Sequence, residues 1–345
     1  MTKVDYKSAG GDIDAGNDAV DLIKNSVKST FTKNVLTGLG SFGSLYELKP
    51  ILDEYKDPVM VQSIDGVGTK AIIARKLNKF DTIGVDLLSA CANDILVMGA
   101  KPVTFLDYIA NDKLKPAIVE SIVSGMVNAC IDTGVSLVGG ETAEMPDTYL
   151  KGEHDLVGII TGFVEKEKII TGEKIKVGDR IIGLPSSGLH TNGYSLARKV
   201  FFDIGNYNIE DKISGLEKSI GVALLEPHIN YTNHLSLLLE EEIDIHGIAH
   251  ITGGGLIENI PRVLPEGCKA LIQKDSWPIL DIFFAMQSIG DIEETEMFRS
   301  FNMGIGMVFI VNKEEIDMVS NTLKNLSPIY EIGKIVSGNK QVTIK

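Results

Sequence analysis

The sequence is poor in cysteine, in basic charge and in long hydrophobic runs, and each shortage excludes a class of protein. The three cysteines, Cys91, Cys130 and Cys268, are too scattered for a disulfide framework or a zinc site. A net charge of −14 argues against DNA, RNA or an anionic membrane as the main partner. No apolar run approaches the roughly 18 residues that span a bilayer. Residues 1–8 lack the hydrophobic region of a signal peptide, so we expect a cytoplasmic protein.

The composition is that of an ordinary globular protein with room for two domains. Apolar residues make up 44% of the 345 residues and charged residues 23%. Strand and helix patterns alternate over residues 58–165, and they alternate again beyond a charged connector at 165–177. The sequence therefore predicts two α/β units joined near 165–177.

The most informative stretch is the glycine turn Asp65-Gly-Val-Gly-Thr-Lys70. It follows a β-branched run at 58–64, typical of a strand, and precedes a helix-like segment at 71–75. Such a junction offers backbone N–H groups and a positive helix end to an anion. Asp65 would repel a bare phosphate, and Mg²⁺ between the two removes that conflict. The spacing is not that of a Walker A loop. We predict a metal–nucleotide site, with a tight turn carrying an acidic cap as the alternative.

A second group of oxygen-bearing side chains is predicted on the helix after Asp86. The run 81–85 is typical of a strand, which makes Asp86 the N-cap of a helix over 87–98. At about 3.6 residues per turn, Asn93 and Asp94 fall near the face of Asp86. Polar groups on an apolar helix are costly to bury without partners. We therefore expect Asn93 and Asp94 to contact a metal or a ligand, although a solvated edge also explains Asp86.

An acidic, glycine-rich motif follows a short predicted strand at 136–138. The paired Gly139 and Gly140 allow close backbone approach. Glu141 and Glu144 are three residues apart and can serve a metal ion or a proton transfer. A simple acidic loop is the alternative interpretation.

Two motifs of the second half combine histidine with small residues at the start of a helix. The first contains Ser187, His190, Thr191 and Asn192, and the second contains His250, Thr252, Gly253, Gly254 and Gly255. Both suit a phosphate or another polar substrate group. A single histidine is more often structural, but two histidines beside glycine-rich helix entries favour a functional role.

The glycine cluster at 38–43 matches the dinucleotide fingerprint in form only. The preceding strand pattern is weak and Pro50 ends the following helix early, so we reject an NAD site. A flexible flap over a ligand and a plain loop are both compatible with the cluster. Lys24 and Lys28 lie one turn apart on a predicted helix within an otherwise irregular segment, 1–50. They either offer charge to phosphates or form a solvated face.

Taken in order, these motifs resemble those of one family. They are the segments 65–70, 93–94, 138–146, 190–195, 250–255 and 301–306. The chain resembles the phosphoribosylformylglycinamidine cyclo-ligases, also called aminoimidazole ribonucleotide synthetases, from Tyr6 to about residue 335. It departs from the family pattern at Gly11, where valine is usual, and at Ser41, where glycine is common.

The resemblance implies an α/β (α+β) fold of two domains, 1–168 for ATP binding and dimerisation and 169–345 for substrate binding. The N-terminal sheets of two subunits would pair into a β-barrel, and the C-terminal domain would be an α/β sandwich. The implied reaction is ATP-dependent cyclisation of formylglycinamidine ribonucleotide to 5-aminoimidazole ribonucleotide in purine biosynthesis. It would pass through an iminophosphate and release ADP and phosphate. The implied partners are this small molecule and a second copy of the chain, with no nucleic acid and no membrane.

The resemblance also leads us to assign residue roles. The expected Mg²⁺ ligands are Asp65, Asp94 and Glu141, with a need for a monovalent cation such as K⁺ left open. ATP would be held by Lys24, Gly66, Gly68, Thr69, Lys70, Asp86, Asn93, Gly139 and Gly140. Substrate would be held by Ser187, Thr191, Asn192, Thr252, Gly253, Gly254 and Gly255. Asp65 and either His190 or His250 would be catalytic. The alternatives are a sister enzyme that phosphorylates another small molecule and a nucleotide sensor without turnover.

Overall fold

In this computed structural model the described residues, 10–345, divide into two compact units. Unit 1 comprises residues 10–95 and Pro102–Glu167, and unit 2 comprises Leu96–Lys101 and Lys168–Lys345. Tyr6, where the resemblance begins, and the segment 1–8 lie outside the described residues. Among the described residues, every helix is too short or too polar to cross a lipid bilayer.

Unit 1 is a mixed sheet covered by helices. Its elements are α1 (Ile13–Lys28), α2 (Lys49–Leu52), β1 (Pro58–Gly66), α3 (Lys70–Leu77), α4 (Asp81–Leu96), β2 (Lys101–Asn111), α5 (Pro116–Thr133), β3 (Ser136–Glu144) and β4 (His154–Glu165). The strand order is β1-β4-β2-β3, with β1 antiparallel to β4 and β2 parallel to β3. The predictions of a strand at 58–64 and of a long helix near 114–131 are confirmed, whereas β2 was not predicted as a separate strand.

The prediction of a strand at 81–85 is wrong, and so is the placement of Asp86 as an N-cap. Helix α4 begins at Asp81 and runs through Asp86. The reason is a close helix crossing that a single-segment pattern cannot reveal. A Cβ atom at Gly84 would clash with the carbonyl oxygen of Ile122, and one at Gly125 would clash with that of Asp81. Two glycines therefore let the backbones of α4 and α5 touch, and Gly84 belongs to a helix.

The two faces of the unit 1 sheet differ in burial. Along β1, Val61 is buried, whereas the side chains of Met60 and Ile64 are 57% and 64% exposed. Because side chains alternate along a strand, Ser63 and Asp65 share the face of Val61. That face carries α4, as the bond between Ser63 and Asp94 demonstrates. The opposite face is apolar and exposed.

Unit 2 is built around a larger mixed sheet. Its elements are β5 (Arg180–Pro185), α6 (Tyr194–Arg198), α7 (Ile220–Leu224), α8 (Thr232–Glu240), β6 (Ile245–His250), α9 (Gly255–Asn259), β7 (Cys268–Ile272), α10 (Asp281–Gly290), α11 (Glu294–Ser300), β8 (Ile305–Val311), α12 (Ile316–Leu323), β9 (Tyr330–Ser337) and β10 (Val342–Ile344). The strand order is β10-β7-β9-β5-β8-β6. The prediction of two α/β assemblies is confirmed, as are the strands near 181–184 and 305–311.

The core of unit 2 lies where β5, β6 and β8 pack against α8 and α12. Every residue of β6 and β8 is buried. Ile182, Phe309, Leu238 and Leu323 belong to one cluster of fully buried side chains, each worth about 1.5–3 kcal/mol of hydrophobic stabilisation. The strands are therefore held rigidly, and the two histidine motifs begin directly beyond the ends of β5 and β6.

Candidate functional site

The predicted strand–turn–helix junction is present in unit 1, where β1 ends at Gly66 and α3 begins at Lys70. A Cβ atom at Gly66 would lie 2.8 Å from the carbonyl oxygen of Leu156, so the glycine permits close approach of the neighbouring strand. Gly68 has a φ of 53°, which favours glycine. Thr69 makes no side-chain capping bond at the start of α3. The turn that leads into the first backbone N–H groups of α3 therefore has no side chain at Gly66 or Gly68.

Two of the three predicted magnesium ligands lie on the same side of β1. The Asp65 carboxylate accepts a 2.7 Å hydrogen bond from its neighbouring amide at Gly66, and Asp94 accepts one of 3.0 Å from the Ser63 hydroxyl. Burial raises the pKa of the Cys91 thiol, and the negative charges of Asp65 and Asp94 raise it further. Both carboxylates are therefore close to Cys91. A strand and a helix bring together side chains that are 29 positions apart in the sequence.

Lys70 and Asp86 form a buried ion pair. The Lys70 ammonium lies 2.9 Å and 2.8 Å from the two carboxylate oxygens of Asp86, and both side chains are 0% exposed. Contact between Lys70 and a phosphate would require the ammonium to leave this pair. Asn93 is also fully buried, and it lies about two turns along α4 from Asp86 on the same face. The pair joins the start of α3 to the middle of α4 and fixes the two helices that carry the glycine turn and Asp94.

The acidic motif continues β3 and does not form a loop. Glu141 lies beside Tyr108 in the parallel ladder and is exposed. Glu144 accepts hydrogen bonds from the backbone N–H groups of Asp12 (2.6 Å) and Leu114 (3.0 Å), which makes it structural. Within residues 10–345, no group of three or more His, Cys, Asp or Glu side chains is gathered tightly enough to hold a metal ion. The role of Glu141 as a third ligand stays a prediction.

Gly140 makes room for a carboxyl group that the sequence analysis did not single out. A Cβ atom there would clash with Asp107 Oδ1 of β2. Burial raises the pKa of Asp107 from its usual 3.8 to about 7. A Cβ at Gly139 would meet only the Leu106 side chain, at 3.4 Å. The signal in the sequence is a single aspartate within the apolar run of β2, because a carboxyl in such a run must be buried at a cost or be functional.

Lys24 and Lys28 line a cavity of about 320 Å³ in unit 1. The other lining residues are Phe31, Val35, Leu36, Thr37, Gly38 and Leu39. Val35 pairs with Tyr46, and this bridge closes the glycine-rich segment into a loop. No helix follows that loop as a dinucleotide fold requires, since α2 is only four residues long. The two lysines face a pocket whose other wall is the start of the glycine-rich loop.

The first histidine loop of unit 2 is tied down by Asn302. The Asn302 amide nitrogen donates to the carbonyl oxygen of Gly188 (2.8 Å), and its oxygen accepts from Ser186 Oγ (3.0 Å) and from the Gly304 N–H (2.9 Å). The Ser187 hydroxyl donates to the carbonyl oxygen of Pro227. Asn302 was quoted only as part of a motif in the sequence analysis, and its structural role depends on contacts 114 residues apart.

The second loop is shaped by Asn259. Its side-chain amide donates to the carbonyl oxygens of Thr252 (3.3 Å), Gly253 (3.2 Å) and Gly255 (2.9 Å). A Cβ atom at Gly253 would lie 3.3 Å from Asn192 Oδ1, so the two predicted substrate loops meet at this point. Gly254 and Gly255 have φ values of 97° and 57°. The structure therefore gathers the predicted substrate-binding residues of both loops in one region of unit 2.

A cluster of buried histidines lies beside these loops. His190 adopts a φ of 59°, which is uncommon for a residue with a side chain. Its ring stacks on that of His228 with centroids 4.0 Å apart, and the Nε2 atoms of His228 and His250 lie 3.2 Å apart. A Cβ atom at Gly306 would clash with Tyr231 Oη and would lie 2.5 Å from His190 Cε1. His228 stands in no motif that the sequence alone would single out, and Gly306 ends the segment 301–306 without having been assigned a role.

The fold of both units is that of one class of proteins. Residues 51–164 match the family model of the N-terminal domain of AIR synthase related proteins, and residues 176–345 match that of the C-terminal domain. A curated relative, the phosphoribosylformylglycinamidine cyclo-ligase of Citrifermentans bemidjiense, is 50% identical over 347 aligned positions that cover 99% of each chain. The chain therefore belongs to the phosphoribosylformylglycinamidine cyclo-ligase family.

More distant solved structures share the fold. A crystal structure of thiamine-monophosphate kinase from Stenotrophomonas maltophilia K279a has a TM-score of 0.69 at 18% identity, covering 94% of this chain and 96% of that one. A crystal structure of the hydrogenase maturation protein HypE in complex with ATP has a TM-score of 0.66 at 17% identity, covering 94% and 90%. The same fold is therefore found in thiamine-monophosphate kinase and in HypE.

Proposed function

We propose that this chain closes formylglycinamidine ribonucleotide to 5-aminoimidazole ribonucleotide at the expense of ATP, in the cytoplasm, as a step of purine biosynthesis. The observation that carries the proposal is the 50% identity over 99% of the chain to a relative of that name. The match covers both halves of the chain. The HypE structure with bound ATP supports a nucleotide as the second substrate.

The chemistry needs activation of a poor leaving group. The formamide oxygen would be phosphorylated by ATP to an iminophosphate, the amidine-derived nitrogen would attack that carbon, and phosphate would leave. Such phosphoryl transfer depends on positioning and charge neutralisation more than on covalent help from the protein. A site for phosphoryl transfer needs carboxylates that bind a metal, donors that bind phosphate and a separate region that binds the substrate. Residues suited to each of these tasks are present in the chain.

Asp65, Asp94 and Glu141 would hold Mg²⁺. Carboxylate oxygens are the donors that this ion prefers, and Asp65 and Asp94 are only half-buried, near Cys91. When bound, Mg²⁺ neutralises charge on the phosphates. Asp65 accepts a hydrogen bond from the Gly66 amide and Asp94 accepts one from the Ser63 hydroxyl, so both carboxylates are held beside β1.

The nucleotide would be held by unit 1. Lys24 and Lys28 bring two positive charges to the 320 Å³ cavity beside the glycine-rich loop. Gly66, Gly68 and Thr69 would supply the turn beside the phosphates, and Gly139 would allow close approach. Lys70, Asp86 and Asn93 would act through the helices that they hold together. This division supports residues 1–168 as the ATP-binding domain.

The second unit would hold formylglycinamidine ribonucleotide. Ser187, Thr191 and Asn192 belong to one loop, and residues 252–255 form the other, with hydroxyl and backbone donors suited to a ribose phosphate. The contact of Asn192 with Gly253 supports a single binding region. His190 and His250 would assist ring closure beside it. This supports residues 169–345 as the substrate-binding domain.

A second copy of the chain would cover the open face of the unit 1 sheet. Met60, Ile64, Leu106 and Ile159 are all more than a third exposed on strands of that sheet. Apolar side chains on one sheet face are the surface that a homodimer would bury, and pairing of two such sheets would form the expected barrel.

The test is a balanced assay with purified protein, Mg-ATP and formylglycinamidine ribonucleotide. We expect ADP and 5-aminoimidazole ribonucleotide in equal amounts, with neither formed when the ribonucleotide is left out. ADP formed with thiamine monophosphate and not with this ribonucleotide would assign the chain to a sister activity. ATP binding without turnover of either compound would identify a sensor and overturn the proposal.

A further inference from the structure

Three histidine rings form one buried cluster in unit 2, and the middle one belongs to neither predicted motif. His190, His228 and His250 are 1%, 2% and 6% exposed. The His228 ring stacks on His190 with 22° between the ring planes, and its Nε2 atom lies 3.2 Å from His250 Nε2. His228 therefore connects the two histidines that are expected to act on the substrate.

The hydrogen bonds of His190 define its tautomer. The backbone N–H groups of Ser187 and Ile229 donate to His190 Nε2 at 3.3 Å and 3.5 Å. A nitrogen that accepts from an N–H group carries no hydrogen itself, so neutral His190 has its ring hydrogen on Nδ1. The left-handed backbone at His190, and the absence of a side chain at Gly306, hold the ring in this position.

The neighbours of His228 are compatible with a second set of hydrogen bonds that runs in one direction. The side-chain amide of Asn192 donates to Thr191 Oγ1 at 3.4 Å, and Thr191 Oγ1 lies 3.4 Å from His228 Nδ1. A hydroxyl oxygen that accepts from an amide still has its own hydrogen to donate, and His228 Nδ1 is in range as the acceptor. With Nδ1 as an acceptor, neutral His228 holds its hydrogen on Nε2 and donates it to His250 Nε2.

We propose that His228 is a positioning residue that sets the tautomer of His250. The donors run in one direction from Asn192 through Thr191 and His228 to His250, and aligned hydrogen bonds polarise one another. In this arrangement His250 Nε2 is an acceptor, so neutral His250 keeps its hydrogen on Nδ1 and acts as an N–H donor through that atom. This role of His228 adds to the proposed function. Its catalytic part rests on that function.

The first test reads the tautomers directly and needs no turnover. We would record ring ¹⁵N–¹H correlation spectra of the full-length protein labelled on its six histidines, with single substitutions for assignment. The expected hydrogens are on Nδ1 of His190, Nε2 of His228 and Nδ1 of His250. A hydrogen on Nε2 of His250 would overturn the proposal. Because no substrate is present, the result is independent of whether the chain is a cyclo-ligase.

The second test separates the bond to His250 from the bond to Thr191. His228→Gln keeps an amide N–H near the Nε2 position, whereas His228→Asn keeps one near Nδ1 and does not reach His250. We expect the Gln variant to retain the His250 tautomer and a kcat close to that of the wild type. The Asn variant should lose the tautomer and about 10- to 100-fold in kcat with KM unchanged, less than the roughly 100- to 10,000-fold expected for removing an acid–base group itself.

Equal kcat values in the two variants, with the His250 tautomer unchanged in both, would overturn the proposal. The matched control is His234→Gln, which alters another buried histidine of unit 2 whose Nε2 atom lies 3.1 Å from Ser327 Oγ. We expect neither readout to move in this control. A shift of the His250 tautomer there as large as in His228→Asn would assign the effect to general packing and reject His228 as a positioning residue.

Discussion

The two units hold their polar side chains in place by different means. In unit 1 three carboxylates are bonded to separate donors, a backbone amide for Asp65, a hydroxyl for Asp94 and two backbone amides for Glu144. In unit 2 the histidine rings stack on and bond to one another. The difference follows from the chemistry of the groups, because a carboxylate only accepts hydrogen bonds whereas a neutral imidazole both donates and accepts.

The carboxylates of unit 1 and the histidines of unit 2 should respond differently to substitution. Like-charged carboxylates repel, so each must be fixed separately before a cation can use several of them. Imidazoles that bond to one another form a connected network, in which a substitution at one ring affects the next. We therefore expect substitutions in unit 1 to act locally and substitutions in the histidine cluster of unit 2 to be coupled.

The largest effect is expected for Asp65→Asn. The change removes one negative charge from the proposed magnesium site and keeps the shape of the side chain, so kcat should fall about a thousandfold, which equals about 4 kcal/mol in the barrier. The measurement is the rate of ADP and aminoimidazole ribonucleotide formation. Asp53→Asn is the control, since Asp53 is an exposed partner of Lys49. Full activity of the Asp65 variant would exclude Asp65 from the metal site.

The second effect concerns stability in unit 1. Lys70→Met leaves the Asp86 carboxylate buried without its ammonium, which should lower the free energy of unfolding by about 3–5 kcal/mol. The control is Lys79→Met, because the Lys79–Asp81 pair is half exposed and such pairs contribute about 0–1 kcal/mol. Urea unfolding of both variants gives the comparison. Equal losses would mean that burial adds nothing to the Lys70–Asp86 pair.

A smaller effect is expected for Gly306→Ala in unit 2. The added Cβ would clash with Tyr231 Oη and press on His190, and overpacking of this kind costs about 1–3 kcal/mol. If the rings of His190 and His228 are coupled, their signals should shift together. Gly43→Ala is the control, because a Cβ there meets no atom within 4 Å. A shift of the His190 signal alone would show that the rings are not coupled.

Much of the fold follows from local sequence patterns. The β-branched run that forms β1, the glycine turn with its positive φ at Gly68 and the apolar stripe of α5 are properties of neighbouring residues. Such features are predictable because the backbone conformation and the buried face are set within a few residues. The same holds for the histidine loops, whose glycines mark the entries to α6 and α9.

What could not be predicted depends on contacts between distant segments. Gly84 reads as part of a strand in the sequence, but its crossing with Gly125 places it in α4. Gly140 was assigned to ligand approach, and the structure fills the space above it with Asp107. His228 acquires its place only when β5, β6 and the segment before α8 pack together. Sequence spacing carries no information about such pairs.

Asp107 in unit 1 and His234 in unit 2 are titratable groups of opposite charge, and their pKa values are shifted in opposite directions. Burial raises the pKa of Asp107 in unit 1 to about 7, and burial lowers the pKa of His234 in unit 2 to about 4. Between about pH 4 and 7 the folded chain binds the Asp107 proton more tightly than the unfolded chain, so this group makes the free energy of unfolding fall as pH rises. For His234 the unfolded chain binds the extra proton below its usual pKa of 6.5, so stability rises with pH over about 4 to 6.5.

The contributions of Asp107 and His234 to the pH dependence of the free energy of unfolding have opposite signs. The net effect of pH on the stability of the wild type is therefore the smallest of the four predicted effects. At about 1.36 kcal/mol per pKa unit, the contributions are at most about 4 kcal/mol for Asp107 and about 3 kcal/mol for His234. Urea unfolding at several pH values should therefore give opposite changes in two variants. Asp107→Asn should leave stability rising with pH, and His234→Gln should leave it falling, relative to the wild type. If both variants kept the wild-type slope, the two units would not differ in how burial acts on their charged groups.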